Sequence, residues 1–293
     1  MSGGKSALDD LVTLLDLEPL EVNLFRGESL DRDRHRIYGG EVLAQALMAA
    51  GRTVDPDRRV HSMHAYFLKL GDPQVPIVYD VDRIRDGGSF TTRRVVAIQH
   101  GQAIFNMASS FHVHEDGFEH FDQMPDVPTA ESLAPLVRLP DDAPETIDRQ
   151  GAPHVVDALD FRNVGEGWSP PGENRGHPVR EPDQNTWLRA RGRLPDDPLL
   201  HASVVAYASD LTLLGTATLP HPLGDDDPGL MMASLDHVMW FHRAFRADEW
   251  LLYHVHSPSA GAARGFAQGQ LFRADGTLAV SVAQEGLVRR LRR

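Results

Sequence analysis

The chain has 293 residues, 41% hydrophobic and 24% charged, with a formal net charge of −13 and no cysteine. That length suits one large domain or two modest ones, and the missing thiols exclude disulfides, thiolate metal sites and a cysteine nucleophile. The acidic balance argues against nucleic acid as a partner, because binding phosphates needs a basic surface. An anionic small molecule stays open if arginines cluster, since the basic residues are almost all Arg, with lysine only at Lys5 and Lys69.

The opening MSGGKSALDDLVTLLDLE is acidic and amphipathic. It lacks the basic start and apolar core of a secretory signal, and nowhere does an uncharged apolar run reach the roughly 18 residues of a membrane span. A cytoplasmic protein is expected. Leu and Val at helical spacing predict a helix over 7–17, and GEVLAQALMAA predicts a second over 40–50, entered through Gly39 and Gly40. Strand-like runs follow at 61–68, 77–85, 89–99 and 102–113, separated by short turns such as DGG and HG. One helix followed by an antiparallel meander fits that order. Residues 114–184 hold many prolines and acids and few apolar runs. So long a connection is foreign to the inside of one domain and natural between two. A strand over 185–194, a helix over 199–215 and a turn TLPHPLGDDDPG come next. Four strands close the chain, at 231–243, 250–258, 263–273 and 278–288.

The halves overlay: HAYFLKLGD on MWFHRAFRADE, YDVDRI on YHVHSP, and GQAIFNMASSF on GTLAVSVAQEG, at a steady offset of 174 or 175. This is a two-copy repeat. Each copy has the composition of a hotdog fold, one helix wrapped by a curved sheet. The expected architecture is α+β, a double hotdog, with an N-terminal copy at 1–120, an irregular linker at 121–182 and a C-terminal copy at 183–293.

Three polar residues sit where apolar ones belong. Asp210 lies in the last third of its helix among Ser203, Ala206, Tyr207, Leu213 and Leu214, where the helix dipole disfavours negative charge. Gln284 interrupts the apolar face Leu278, Val280, Val282, Gly286, Val288, and a buried amide demands partners. Ser234 lies in MMASLDHVMWFHR. If that stretch is one continuous strand, alternation puts Ser234 and Asp236 on one side, roughly 7 Å apart, and His237 on the other. Asp236 and His237 then form no dyad and read as framework. The pairs His254 with His256 and His112 with His114 could each chelate a metal, but neither has an accompanying carboxylate at ligand spacing. There is no G-x-S-x-G, P-loop or dinucleotide fingerprint.

Together with LFRG (24–27), YGGEVLAQAL (38–47), VHSMHAYFLKLGDP (60–73), YASDL (207–211), LDHVMWFHR (235–243), EWLLYHVHSPSAGAARGF (249–266) and AQEGLVR (283–289), these residues resemble the acyl-CoA thioesterase II family, the double-hotdog thioesterases. The resemblance runs across nearly the whole chain and is poor over 130–180. It implies hydrolysis of fatty acyl-CoA to free acid and CoA, a place in fatty acid metabolism, and a catalytic trio of Asp210, Ser234 and Gln284. Ser234 has no assigned histidine base, so a water held by the trio is the better nucleophile. Asp210 would act as its general base, and Ser234 and Gln284 would orient it.

Backbone N–H groups at Gly39 and Gly40 are candidate oxyanion donors. His61 and His64 are candidates to line the site, and Arg93, with its neighbour Arg94, and Arg264 are candidates to meet CoA phosphates. In the first copy the helix carries Gln45 and Ser109 aligns with Gln284, with no obvious counterpart of the Asp210 carboxylate on the helix, so one active site per chain is expected. No cofactor or metal is expected, and hotdog sheets pairing edge to edge would give a homo-oligomer. The alternatives are a hotdog enoyl-CoA hydratase, counted against by the opposed faces of Asp236 and His237, and a non-catalytic acyl-CoA binding protein.

Overall fold

A computed structural model describes residues 6–291 apart from 31, 33, 137–156, 166–178 and 223–228. Most of the expected linker, and part of the turn before residue 230, therefore lie outside the described residues.

Helix α1 (Ala7–Leu15) starts at a capping box: Ser6 Oγ accepts from the Asp9 N–H, and Asp9 accepts from the Ser6 N–H. That pairing satisfies two donors the helix itself leaves open. Leu11, Leu14 and Leu15 go inward. Two short strands follow, β1 (Glu18–Glu21) and β2 (Leu24–Gly27), then α2 (Gly39–Gly51). Strands β3 (Arg58–Phe67), β4 (Ile77–Asp86), β5 (Phe90–Gln99) and β6 (Gln102–Val113) form the predicted meander.

The expected irregular linker is not wholly irregular. A 3-10 turn spans Ala130–Ser132 and β7 spans Leu159–Asn163. Ala130 packs with Trp187, Trp250, Leu252, Phe272 and Leu278, with Met124, Val127 and Leu133 against them. The segment was unreadable as structure because its few apolar residues have no period; they cover a patch on the second half.

Strand β8 (Asp183–Ala190) leads to α3 (Pro198–Ser209). Asp197 caps α3 by accepting from the Leu199 N–H, and Pro198 takes the first turn, where its missing N–H costs nothing. The helix ends at Ser209, not at 215 as expected, and Asp210 is its C-cap. A 3-10 turn, Leu214–Thr218, carries the chain onward. The expected single strand over 231–243 is two, β9 (Leu230–Ser234) and β10 (Asp236–Phe241). Strands β11 (Leu251–Gly261), β12 (Arg264–Arg273) and β13 (Leu278–Arg290) complete the fold.

All strands join one antiparallel sheet in the order β1-β2-β4-β5-β6-β3-β10-β13-β12-β11-β8-β7, with β9 pairing β13. The order mirrors itself about the β3–β10 seam, so each copy also includes a strand pair ahead of its helix. At the seam His64 pairs with Val238. These residues are 174 apart, the repeat offset, so a local two-fold passes between them. This is the α+β tandem hotdog expected from the repeat. Residues 40–50 of α2 are all buried, as befits a helix apolar on every face. Burial of side chains such as Leu43 and Leu47 stabilises the fold by roughly 1.5–3 kcal/mol each. Alanines at 44, 46, 49 and 50 and at 202, 206 and 208 let α2 and α3 pack closely. Gly40 abuts the Tyr207 carbonyl, and Gly51 abuts Leu199. The helices are thus antiparallel, and the end of α3 meets the start of α2.

Candidate active site

That antiparallel crossing explains Asp210. At the C-terminus of α3 its charge meets the negative end of its own helix, but the first turn of α2 faces it. A methyl group on Gly39 would lie 2.8 Å from Asp210 Oδ2. The positive end of α2, with N–H groups that have no partner within the helix, offsets the unfavourable dipole of α3. The side chain is 5% exposed.

Strand pairing supplies the rest. On β13, Ser234 lies opposite Gly286 and Val238 opposite Ala283. Four residues of one strand thus span three of the other, which is a β-bulge at Leu235. The Leu235 N–H bonds to the Glu285 carbonyl, its carbonyl accepts from the Phe67 N–H, and Asp236 Oδ1 accepts the Glu285 N–H at 2.6 Å. One extra residue reverses the alternation. Ser234 and His237 therefore share the inner face, and the expectation that His237 points away from Ser234 is corrected. The opposing faces assigned to Asp236 and His237 themselves hold; Asp236 is the framework residue and His237 is not. Burial raises the Asp236 pKa against the lowering effect of its bond from Glu285. The first copy repeats the bulge: register slips between Val60 and Ser62, at His61, which is 174 before Leu235.

The inner face gathers four side chains. Gln284 Nε2 donates to Asp210 Oδ1 at 2.7 Å, and Ser234 Oγ donates to the same oxygen at 3.4 Å. His237, wholly buried, has Nδ1 3.1 Å from Gln284 Nε2 and 3.6 Å from Asp210 Oδ1. Its Nε2 is 3.0 Å from Ser209 Oγ. Gln284 Oε1 is buried with no hydrogen-bond partner among the described residues. Around them stand Tyr38, whose hydroxyl donates to the Tyr207 carbonyl at 2.8 Å, and Tyr253, whose hydroxyl donates to the Ser209 carbonyl at 3.2 Å. Burial first, and the Asp210 charge second, push both phenols well above their ordinary pKa, so they stay protonated.

The remaining candidates scatter. Gly39 lies against Asp210, and Gly40 lies against Tyr38 and the Tyr207 carbonyl. His61 bonds Ser110 at 2.8 Å, its pKa lowered by burial and then by His112. His64 is exposed beside Trp240, on the outer face. Neither reaches the trio, so as site-lining residues both are corrected: the bulge diverts the first, and alternation turns the second outward. Arg93 is 1% exposed and fully engaged, with Asp86 at 2.6 Å and with Thr53 through both its hydroxyl and carbonyl. It ties β5 to the end of α2 and has no donor to offer a phosphate. Arg94 is exposed and pairs with Asp82. Arg264 is half-exposed and pairs with Glu285 at 2.8 Å through Nε, and its other nitrogens have no partner among the described residues.

A carboxylate does accompany His254 and His256: Asp183 lies 3.7 Å from each, across the strand. No group of three His, Asp or Glu among the described residues is arranged to hold a metal ion. In the first copy, Val60 stands in place of Ser234, Met63 in place of His237 and Ser109 in place of Gln284, while Gln45 is spent on the carbonyls of Leu14 and Glu28 and on the Tyr79 hydroxyl.

Residues missed in the sequence are His237, Tyr38, Tyr253 and Ser209. For His237 a signal existed. The 174 offset aligns it with Met63, an inward residue, whereas an overlay one residue longer reverses its face.

Comparison with known proteins agrees in both halves. A family model described as acyl-CoA thioesterase matches residues 170–287, and one described as its N-terminal domain matches 30–112. Acyl-coenzyme A thioesterase 8 of Homo sapiens is 41% identical over 95% of this chain and 88% of its own length. Acyl-CoA thioesterase 2 of Haemophilus influenzae is 38% identical, over 96% of this chain and 98% of its own. Among solved structures, an acyl-CoA thioesterase II, TesB2, from Mycobacterium marinum superposes with a TM-score of 0.78 at 45% identity, covering 96% of this chain and 98% of that one. Among the described residues no helix is long and apolar enough to cross a membrane.

Proposed function

The chain belongs to the acyl-CoA thioesterase II family, and on that premise we propose that it hydrolyses fatty acyl-CoA to free fatty acid and CoA by activating a water between Asp210, Ser234 and Gln284. The carrying observation is the pairing of these side chains under the N-terminus of α2, with Gln284 Oε1 buried and unpaired. A buried acceptor without a partner costs about 1–3 kcal/mol, and a water satisfies it. Asp210 Oδ2 takes the proton as the water attacks the thioester carbonyl. The negative charge on the carbonyl oxygen meets the Gly39 and Gly40 N–H groups. Collapse expels the CoA sulfur, which takes the proton back from Asp210.

Gly39 and Phe67 come from the first half and the trio from the second, so the first half shapes the acyl channel. Arg264, with open nitrogens, is the candidate for CoA phosphate. The same reading carries a division into an N-terminal copy at 1–120 and a C-terminal copy at 183–293, with β7 (Leu159–Asn163) of the 121–182 segment joining the second copy's sheet. It also carries a cytoplasmic homo-oligomer formed through sheet edges; a monomer mass by light scattering would remove the oligomer.

The structure brings an Asp–His pair together, Asp210 with His237, as a hydratase would need. But both His237 nitrogens are engaged and the ring is wholly buried, so it cannot reach a substrate. Asp210→Asn should lower kcat about a thousandfold with Tm unchanged, as a lost general base does. The assay is CoA thiol release across a panel of acyl lengths. Wild-type activity in that variant refutes the mechanism. Conversion of crotonyl-CoA to the 3-hydroxyacyl thioester without CoA release would favour the hydratase.

A further inference from the structure

We infer that His237 is a positioning residue that, as the neutral Nε2–H tautomer, fixes which way round the Gln284 amide lies. The inference deepens the mechanism above and rests on it.

The hydrogen-bond logic runs outward from Asp210. A carboxylate oxygen only accepts, so the Gln284 atom 2.7 Å from it is the amide nitrogen. That nitrogen has a second N–H, and His237 Nδ1 lies 3.1 Å away. For Nδ1 to accept, it must carry no proton. The ring proton then sits on Nε2, facing Ser209 Oγ at 3.0 Å. Ser209 Oγ can receive it, because its own proton goes to the Ala206 carbonyl at 3.0 Å. Every donor in the chain has one acceptor. His237 Nδ1 and Asp210 Oδ1 are 3.6 Å apart, beyond hydrogen-bond distance, so the ring has no direct bond to the carboxylate.

The alternative is self-defeating. A proton on Nδ1 would face an N–H of Gln284 and turn the amide over. Oε1 would then meet the Asp210 carboxylate, acceptor against acceptor. In the observed orientation Oε1 is left over, buried and unpaired. It accepts one O–H of the water while Asp210 takes the other, so a lone pair of the water is aimed at the thioester carbon. His237 touches neither water nor substrate and acts through Gln284 alone.

The first repeat supplies the control substitution. Met63 occupies the equivalent place there and is fully buried, so the fold accepts methionine in that setting. His237→Met removes the Nδ1 acceptor. We expect kcat to fall about a hundredfold, as loss of reactant positioning does, with KM within about threefold. His237→Asn, whose amide oxygen stands where Nδ1 stood, should recover most of kcat. His237→Gln, which reaches towards Ser209 but offers no acceptor near Gln284, should not. Nitrogen-15 shifts of the wild-type ring, assigned by through-space contacts to Ser209 and Gln284, should report Nε2–H and bare Nδ1; this readout does not depend on how the variants fold. A His237→Met enzyme with wild-type kcat, or a ring protonated on Nδ1, overturns the inference. Asp210→Asn run alongside separates the two claims. If it stays active, the mechanism itself fails; if it is dead while His237→Met is wild-type, only the positioning role fails.

Discussion

Gly39→Ala is a sharp test of how the two halves make one site. The added Cβ would lie 2.8 Å from Asp210 Oδ2 and 3.1 Å from the Phe67 ring. Carbon contacts settle at about 3.5 Å or more, so the carboxylate must retreat by roughly 0.7 Å. It cannot retreat freely, because Gln284 holds its other oxygen at 2.7 Å. The shift therefore passes into the trio. Misplacement on that scale costs about ten- to a hundredfold in kcat. Stability should hardly move: Ala is favoured over Gly within a helix by roughly 0.5–1 kcal/mol, which offsets much of the clash. Tm should change by only a few degrees.

The neighbouring Gly40→Ala is the contrast. Its Cβ would meet the Tyr38 ring at 2.5 Å and the Tyr207 backbone carbonyl at 2.6 Å. Neither can yield without separating α2 from α3, so that variant should lose Tm. Kinetics of CoA release and thermal melts of both variants decide the matter. Gly39→Ala with unaltered kcat would refute the close approach of α2 to Asp210.

Ser234→Ala should lose less activity than Asp210→Asn, about tenfold, because its bond to Asp210 is long at 3.4 Å; equal losses in parallel kinetics would show that the hydroxyl does more than orient. Asp236→Ala should cost about 1–2 kcal/mol and lower kcat by loosening the bulge, whereas Asp236→Asn keeps an oxygen for the Glu285 N–H; urea melts and kinetics together test this, and Asp236→Ala with unaltered kcat counts against the bulge. Because burial raises the Asp236 pKa, its charge costs stability as pH rises through that value, so Asp236→Asn should gain on the wild type at neutral pH.

Asp248 behaves oppositely. Burial pushes its pKa up, but the Arg246 guanidinium and the Leu194 N–H overcome that and hold it at about 2. Its contribution is full above about pH 4 and is lost as pH falls towards 2. Asp248→Asn should therefore cost at most about 2 kcal/mol at pH 7, less whatever water screens, and nothing near pH 2. A pH-independent difference in denaturation would contradict this.

Much of the fold was legible because a repeat and a hydrophobic period are properties of the chain alone. The helix at 40–50 and the strands of both meanders follow from alternation. The short pairs β1–β2 and β7 were not legible, since strands of four or five residues carry too little pattern. Asp210 and Gln284 stood out because each breaks an apolar face, and that misfit needs no coordinates. Arg93 misled for a physical reason: a guanidinium counts as available in sequence, and only packing shows Asp86 and Thr53 consuming it.

By itself, then, the sequence determined the doubled architecture, the family, and the polar residues that do not belong among their neighbours. The tertiary structure decided what those residues touch. Antiparallel packing of α2 on α3 set the Asp210 carboxylate, misplaced on its own helix, at the favourable end of the other. A single extra residue at Leu235 turned His237 inward, and one-residue slips reverse every side chain beyond them. Neither effect is local in the chain: each depends on a partner strand or helix that one-dimensional periodicity does not contain.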